Sequence, residues 1–110
     1  MPVMMRETSV AAGVNVANLL AGSTFEFMRG NVYLSIGVAQ SVTGGFVSIY
    51  SGADIILEES PPPILTRYPI IPDEMYFNDV ATLADRLVVA VRNPTGGAIV
   101  FRVVVQVTNL

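Results

Sequence analysis

Two valine-rich stretches near the end of the chain, RLVVAVRN (residues 86–93) and AIVFRVVVQVT (residues 98–108), decide the fold. In both, apolar residues recur at every second position, which is the pattern of a β-strand with one face in a core. The intervening PTGG (residues 94–97) is rich in turn-forming residues. The two stretches are therefore predicted to form an antiparallel hairpin, with Phe101 on the core face of its second strand.

Working outward, the same alternation predicts several further strands along the chain. They cover residues 23–29, 31–38 and 46–51, with shorter apolar strands at residues 55–57 and 76–77. Residues 59–74 contain five of the seven prolines, so this segment is predicted to be a long extended connection that lies against the body of the protein.

The resulting pattern predicts an all-β fold, an antiparallel β-sandwich of about eight short strands that is jelly-roll-like. Residues 1–22 fit either a short helix or a strand, and we interpret them as an N-terminal arm with a short strand. Residues 23–110 are predicted to form a single domain, which suits a chain of 110 residues.

The composition combines many apolar residues with few charges. Apolar residues make up 52% of the chain and charged residues 14%, against about 25% charged in typical soluble domains. A small β domain with so few charges is expected to expose apolar surface, which usually marks an interface. The sequence therefore favours a protein that associates with itself or docks on a larger assembly.

Several residue types that carry chemistry are missing. The chain has no Cys, no His and no Lys, so a thiolate nucleophile, a serine triad and a lysine Schiff base are excluded. The six arginines are scattered and the net charge is −3, which predicts no nucleic-acid surface. We expect no enzymatic activity, no catalytic residue, no cofactor and no metal.

Carboxylates and tyrosines leave weaker alternatives. Asp73-Glu74 and Asn78-Asp79 lie near each other, but they lack a calcium-loop pattern and are interpreted as turn caps. Tyrosines stack on sugars in binding modules, and the four here show no shared spacing, which favours ordinary sites at the rim of a sandwich. These tyrosines are Tyr33, Tyr50, Tyr68 and Tyr76.

No membrane span and no secretion signal are predicted. The most apolar run, residues 98–107, is broken by Arg102 and Gln106 and is too short to cross a bilayer as a helix. Glu7 and two asparagines interrupt the N-terminal apolar stretch, which makes it a poor signal peptide. Synthesis in the cytoplasm is the expectation.

Short turn-like motifs recur along the chain: GSTFEF (residues 22–27), YSGAD (50–54), YP (68–69), PDE (72–74), DRL (85–87) and NPTG (93–96). With these motifs, the chain resembles small phage virion proteins over about three quarters of its length. The resemblance implies a capsid-associated single jelly roll that forms trimers or lies at capsid symmetry axes. It implies no catalytic residue.

We therefore predict a non-enzymatic structural protein of a virus or phage particle that is made in the host cytoplasm and located in the virion. Its partners would be copies of itself, as a trimer or pentamer, and other capsid proteins. A carbohydrate-binding or adhesion module is the main alternative, and an enzyme accessory subunit is a third. The candidate contact residues are Met4, Met5 and Arg6 in the arm and Arg102 and Gln106 on the outer face of the last strand.

Overall fold

The structure, a computed structural model of the chain, describes residues 3–52, 54–71, 73–75 and 77–109. Eight strands in two antiparallel sheets form an all-β sandwich, which confirms the predicted fold class. The strands are β1 (Val3–Val10), β2 (Asn15–Val16), β3 (Val32–Gln40), β4 (Phe46–Ser51), β5 (Asp54–Ser60), β6 (Phe77–Ala81), β7 (Leu87–Arg92) and β8 (Ile99–Asn109).

The strand pairs nest around the turn between β4 and β5. β4 pairs with β5, β3 with β6, β2 with β7 and β1 with β8. Further pairing of β3 with β8 and of β4 with β7 gives a first sheet of order β1-β8-β3-β6 and a second of order β2-β7-β4-β5. The chain is thus one long hairpin folded over on itself. Gly52 lies at its turning point with a φ of 57°, a backbone conformation that favours glycine.

The predicted hairpin of β7 and β8 supplies much of the core. The alternate residues predicted to face inward, Leu87, Val89 and Val91 on β7 and Phe101 on β8, are buried. The same alternation places Val32, Leu34, Ile36 and Val38 of β3 on the inner face, and all four are buried. Burying each side chain of this size contributes about 1.5–3 kcal/mol, so the two sheets are held together mainly by these inner faces.

The predicted strand over residues 23–29 is wrong. This segment lies in the connection between β2 and β3 and makes turns, with one isolated bridge between Phe27 and Arg86. Ser23 Oγ accepts a hydrogen bond from the Phe25 N–H at 3.2 Å, and the Glu26 carboxylate accepts one from the Gly22 N–H at 3.0 Å. Such local side-chain bonds compete with a strand ladder.

Residues predicted as an N-terminal arm include a full strand of the sandwich. β1 pairs with β8 over its whole length, from Val3 opposite Gln106 to Val10 opposite Ile99. The backbone of Val3–Val10 is therefore part of the first sheet and lies at its edge.

The proline-rich connection between β5 and β6 packs on the outer face of the first sheet, as predicted. Gln40 at the end of β3 donates its N–H to the Pro63 carbonyl and accepts from the Leu65 N–H, both at 3.0 Å. Farther along, Pro69 is buried directly over Gly37, where a Cβ would come within 2.8 Å of the Pro69 Cβ. Gly37 therefore provides the space that this segment occupies.

Three buried amide side chains fix the loops at the ends of the sandwich. Asn93 donates from Nδ2 to the Val10 and Gly97 carbonyls, at 2.9 and 2.8 Å, and its Oδ1 accepts from Thr95. Asn18 binds the Leu20 N–H in its own loop and the backbone of Leu87 and Val89 on β7, and Gln40 binds the Pro62 carbonyl and the Gly45 N–H. Because these groups are buried and hydrogen-bonded, they hold loop backbone that no strand ladder reaches.

Candidate assembly surface

The five candidate contact residues lie on the two neighbouring strands β1 and β8. Met4, Met5 and Arg6 belong to β1, and Arg102 and Gln106 belong to β8. The strand register places Met5, Arg102 and Gln106 on the outer face of the first sheet, and Met4 and Arg6 on its inner side. The structure therefore brings all five to one end of the sheet, divided between its two faces.

Two of these candidates are already engaged within the chain. Arg6 donates from Nη1 to the Leu19 carbonyl at 2.8 Å and ties β1 to the connection that follows β2. Arg102 donates from Nε to the Glu7 carboxylate at 2.8 Å, and its side chain is only 17% exposed. Both arginines thus stabilise the position of β1.

Apolar side chains on the outer face of the first sheet remain exposed at both of its edges. Val3 and Met5 on β1 are 40% and 53% exposed, while Tyr33 and Val80, which face each other on β3 and β6, are 39% and 52% exposed. We call these four residues the outer-face patch. In contrast, Val104 in the middle of β8 is fully buried.

The second feature of this surface is the backbone edge of β1. On the β3 side of β8, the Val100 carbonyl accepts from the Ser41 N–H at 2.9 Å. The N–H and C=O groups of successive residues point to alternate sides of a strand, so the even-numbered residues of β8, such as Val100, bond toward β3 and the odd-numbered residues bond toward β1. The odd-numbered residues of β8 lie opposite the even-numbered residues of β1, which therefore make the bonds between these two strands. The N–H and C=O groups of Val3, Met5, Glu7 and Ser9 consequently point away from the sheet.

The other three sheet edges are each interrupted. β2 has two residues, and β6 has five, with Asp79 facing inward opposite Leu34. β5 shifts register twice against β4, and its Glu59 has a φ of 46°. Short strands, bulges and inward charges are the usual protections of a sheet edge. β1 is longer than the other edge strands and keeps an unbroken register with β8.

A shallow groove of about 300 Å³ lies on the outer face of the second sheet. Phe46 and Tyr50 line it, and the Arg92 guanidinium lies 4.7 Å from the centre of the Phe46 ring. Arg92 also pairs with Glu59 at 3.0 Å, and the Glu59 N–H donates to Ser48 Oγ. The polar groups of this groove therefore bond mainly to one another.

A second depression, of about 480 Å³, lies at the end of the sandwich where β3 begins and β8 ends. Phe25, Phe27, Met28 and Val107 form much of its lining, and Arg29 stands beside them. Within the described part of the chain, Arg29 makes no ion pair or side-chain hydrogen bond.

Glu74 and Asp85 accept local backbone hydrogen bonds at turns, whereas Asp79 lies within β6 and faces inward, so the interpretation of Asp79 as a turn cap is wrong. Asp85 accepts from the N–H and the hydroxyl of Thr82. The Arg67 guanidinium and the Ile70 N–H hold the pKa of Glu74 below its ordinary value. The described residues contain no cluster of acidic side chains arranged to hold a metal ion.

The tyrosines do not share one surface. Tyr33 lies on the first sheet and Tyr50 on the second, and Tyr68 lies in the proline-rich connection. Tyr76 falls outside the described residues.

Sequence reasoning missed the edge role of β1. The alternation in VMMRETSV was obscured because the even-numbered positions include Arg6 and Thr8, which are polar although they face inward.

Comparisons with protein-family models, curated protein sequences and solved structures gave no match to this chain. Within the described ranges, no helix has the length and apolar character needed to cross a membrane.

Proposed function

We propose that this protein is a non-enzymatic structural subunit of a virus or phage particle, either forming the capsid or decorating it, and that it acts by associating with itself. The observation that carries the proposal is the part of the outer-face patch formed by Val3 and Met5, which lies beside the open edge of β1. Exposed apolar residues next to unpaired backbone groups are suited to contact with another protein surface.

The strand order supports the same proposal. Four nested antiparallel pairs divided between two four-stranded sheets support the assignment as a jelly roll, a sandwich built from two Greek keys. Jelly rolls are common in viral capsid proteins and also occur in lectins. The fold therefore favours a capsid role without requiring one.

The arginines support a structural role as well. Arg67, Arg86, Arg92 and Arg102 each pair with a glutamate, and Arg6 binds backbone carbonyls. Because these cations are used to fix loops and strands, they offer little to a substrate or to nucleic acid.

In this proposal the partners are other copies of the chain, in a trimer or pentamer, and other capsid proteins. The protein would be made in the host cytoplasm and function in the virion.

The first experiment is size-exclusion chromatography with light scattering over a wide range of protein concentrations, followed by electron microscopy of the largest species. A discrete oligomer or a closed shell would support the proposal. A monomer at every concentration that also fails to bind a purified capsid would contradict it.

A carbohydrate-binding module is the second candidate, and the groove beside Phe46 and Tyr50 is the observation that favours it. Aromatic rings in a shallow groove are suited to stacking on sugars. A glycan array with the wild-type protein and with Tyr50→Ala tests this role. Binding that is lost in the variant would favour it over assembly.

A further inference from the structure

We propose that β1 strands from two copies pair antiparallel about a two-fold axis at Met5, which joins their first sheets into one eight-stranded sheet. This inference rests on the proposed self-association and specifies one of its contacts. The partner is a second copy of this chain, because the strand is complementary to itself in a single favourable register.

The backbone of β1 limits the possible registers. The N–H and C=O groups of the odd-numbered residues point to the open edge, so a two-fold pair must join odd residues to odd residues. Four such registers overlap by five or more residues within Val3–Val10, and they centre on Met5, Arg6, Glu7 or Thr8.

Charge and the number of paired backbone groups select among these four registers. Centring on Arg6 places two arginines opposite each other, and centring on Glu7 does the same with two glutamates. Like charges directly opposite each other destabilise a strand pair. Centring on Met5 avoids both contacts, since it opposes Met5 to Met5 of the partner subunit and Val3 to Glu7 of the partner subunit. Centring on Thr8 avoids them too, but it joins only Glu7 and Ser9 through outward-pointing backbone groups. The Met5 register joins Val3, Met5 and Glu7 in this way and is therefore favoured.

The side chains fit this register on both faces of the joined sheet. On the outer face, the half-exposed Met5 side chains of the two copies meet at the axis. On the inner side, Met4 lies opposite Arg6 of the partner subunit, whose guanidinium is already bound to loop carbonyls. The aliphatic part of that arginine can pack against the methionine. The pairing thus covers Met5 and extends the ladder without placing a charge against a like charge.

Cysteine cross-linking tests the position of the axis, and the native chain has no cysteine. Opposite residues in a hydrogen-bonded antiparallel pair have Cα atoms about 5.5 Å apart, within the range that a disulfide spans. We therefore expect Met5→Cys to form a covalent dimer when oxidised with copper phenanthroline. The control, Val3→Cys, puts its two cysteines about 13 Å apart and is expected to stay uncross-linked.

A charge substitution tests the same register without cross-linking. Met5→Lys opposes two lysines at the axis, and we expect dimerisation to weaken about fivefold or more. Val3→Lys adds the same charge two residues away but faces Glu7 of the partner subunit, so its dimer should be as stable as the wild type. Both side chains are exposed in the monomer, so circular dichroism is expected to show both variants folded.

The outcomes separate this inference from the function on which it rests. Equal cross-linking of both cysteine variants, or equal loss of dimer in both lysine variants, would refute the Met5 register. An oligomer that is unaffected by any β1 variant would refute edge pairing while leaving self-association intact. A wild-type protein that is monomeric and binds no capsid would contradict both.

Discussion

Replacing Gly37 with alanine is expected to lift the proline-rich connection off the outer face of the first sheet. An added Cβ would lie 2.8 Å from the Pro69 Cβ, 3.0 Å from the Glu74 carbonyl oxygen and 3.0 Å from the Met75 sulfur. Ordinary contacts begin at 3.4 Å, so Pro69 must move by about 0.6 Å (3.4 − 2.8) or more. The Pro69 Cβ is part of a ring and the Glu74 carbonyl oxygen is part of the backbone. Neither atom can therefore rotate away as the end of a flexible side chain would.

The expected cost is about 1–3 kcal/mol in the free energy of unfolding, the usual range for overpacking. If the connection detaches instead of straining the sheet, the global loss will be smaller and residues 61–71 will become accessible to protease. Limited trypsin digestion reports this directly, because Arg67 lies within the segment. We expect faster cleavage after Arg67 in Gly37→Ala than in the wild type.

Gly30→Ala is the matched control. It makes the same chemical change, but no heavy atom lies within 4 Å of the added Cβ and the backbone there does not have a positive φ. Its stability should stay within about 0.5 kcal/mol of the wild type. Unchanged stability together with unchanged cleavage at Arg67 in Gly37→Ala would refute the close packing of the connection on β3.

Three further predictions follow from the core, the loop contacts and the ion pairs. Phe101→Ala should lower the free energy of unfolding by about 3–5 kcal/mol in a denaturant titration, and a loss below about 1 kcal/mol would mean that the two faces of β8 are reversed. Asn93→Asp keeps the acceptor for Thr95 but sets a carboxylate against three backbone carbonyls, so it should cost about 2–4 kcal/mol, more than Asn93→Ser; equal losses would argue against the donor role. The pKa of Glu26 is lowered by the Gly22 N–H and by Arg86, and the pKa of Glu74 is lowered by Arg67. The stability that these two ionised carboxylates add is therefore complete above pH 4.5, their ordinary pKa, and is lost as the pH falls through their lowered pKa values in the folded protein. Unfolding titrations from neutral pH to about pH 3 should show this loss, and it should shrink in a Glu26→Gln, Glu74→Gln double variant.

The fold class was predictable because the alternation of apolar and polar residues is strong in strands that lie in the interior of a sheet, with a paired strand on each side. β3 and β8 lie in the interior of the first sheet, and β7 and β4 in that of the second, and their inward residues are almost all Val, Ile, Leu or Phe. The sequence predicts these strands correctly because each of their inward apolar side chains is part of the core.

Prediction failed where polar contacts replace alternation. Residues 23–29 alternate like a strand, but Phe27 is 55% exposed and the Glu26 carboxylate binds Arg86 and a backbone N–H. The roles of the buried amides of Asn18 and Asn93 could not be predicted either. The sequence of a loop does not distinguish an asparagine that faces solvent from one that binds the backbone of a distant strand. Asn93 binds the carbonyl of Val10, which is 83 residues away.

The outer face of β8 is half apolar, and its central apolar residue is covered by other parts of the same chain, unlike the exposed apolar residues of β1. Val104 lies there fully buried, between Gly37 on β3 and Met5 on β1. On the β3 side, the proline-rich connection covers the sheet, and Gly37 lacks a side chain because that segment needs the space. On the β1 side, Met5 is 53% exposed, and the backbone next to it points outward. The apolar character of β8 is therefore explained within one molecule, whereas that of Val3 and Met5 is not. This contrast is why a second copy is expected at β1 and not on the last strand itself.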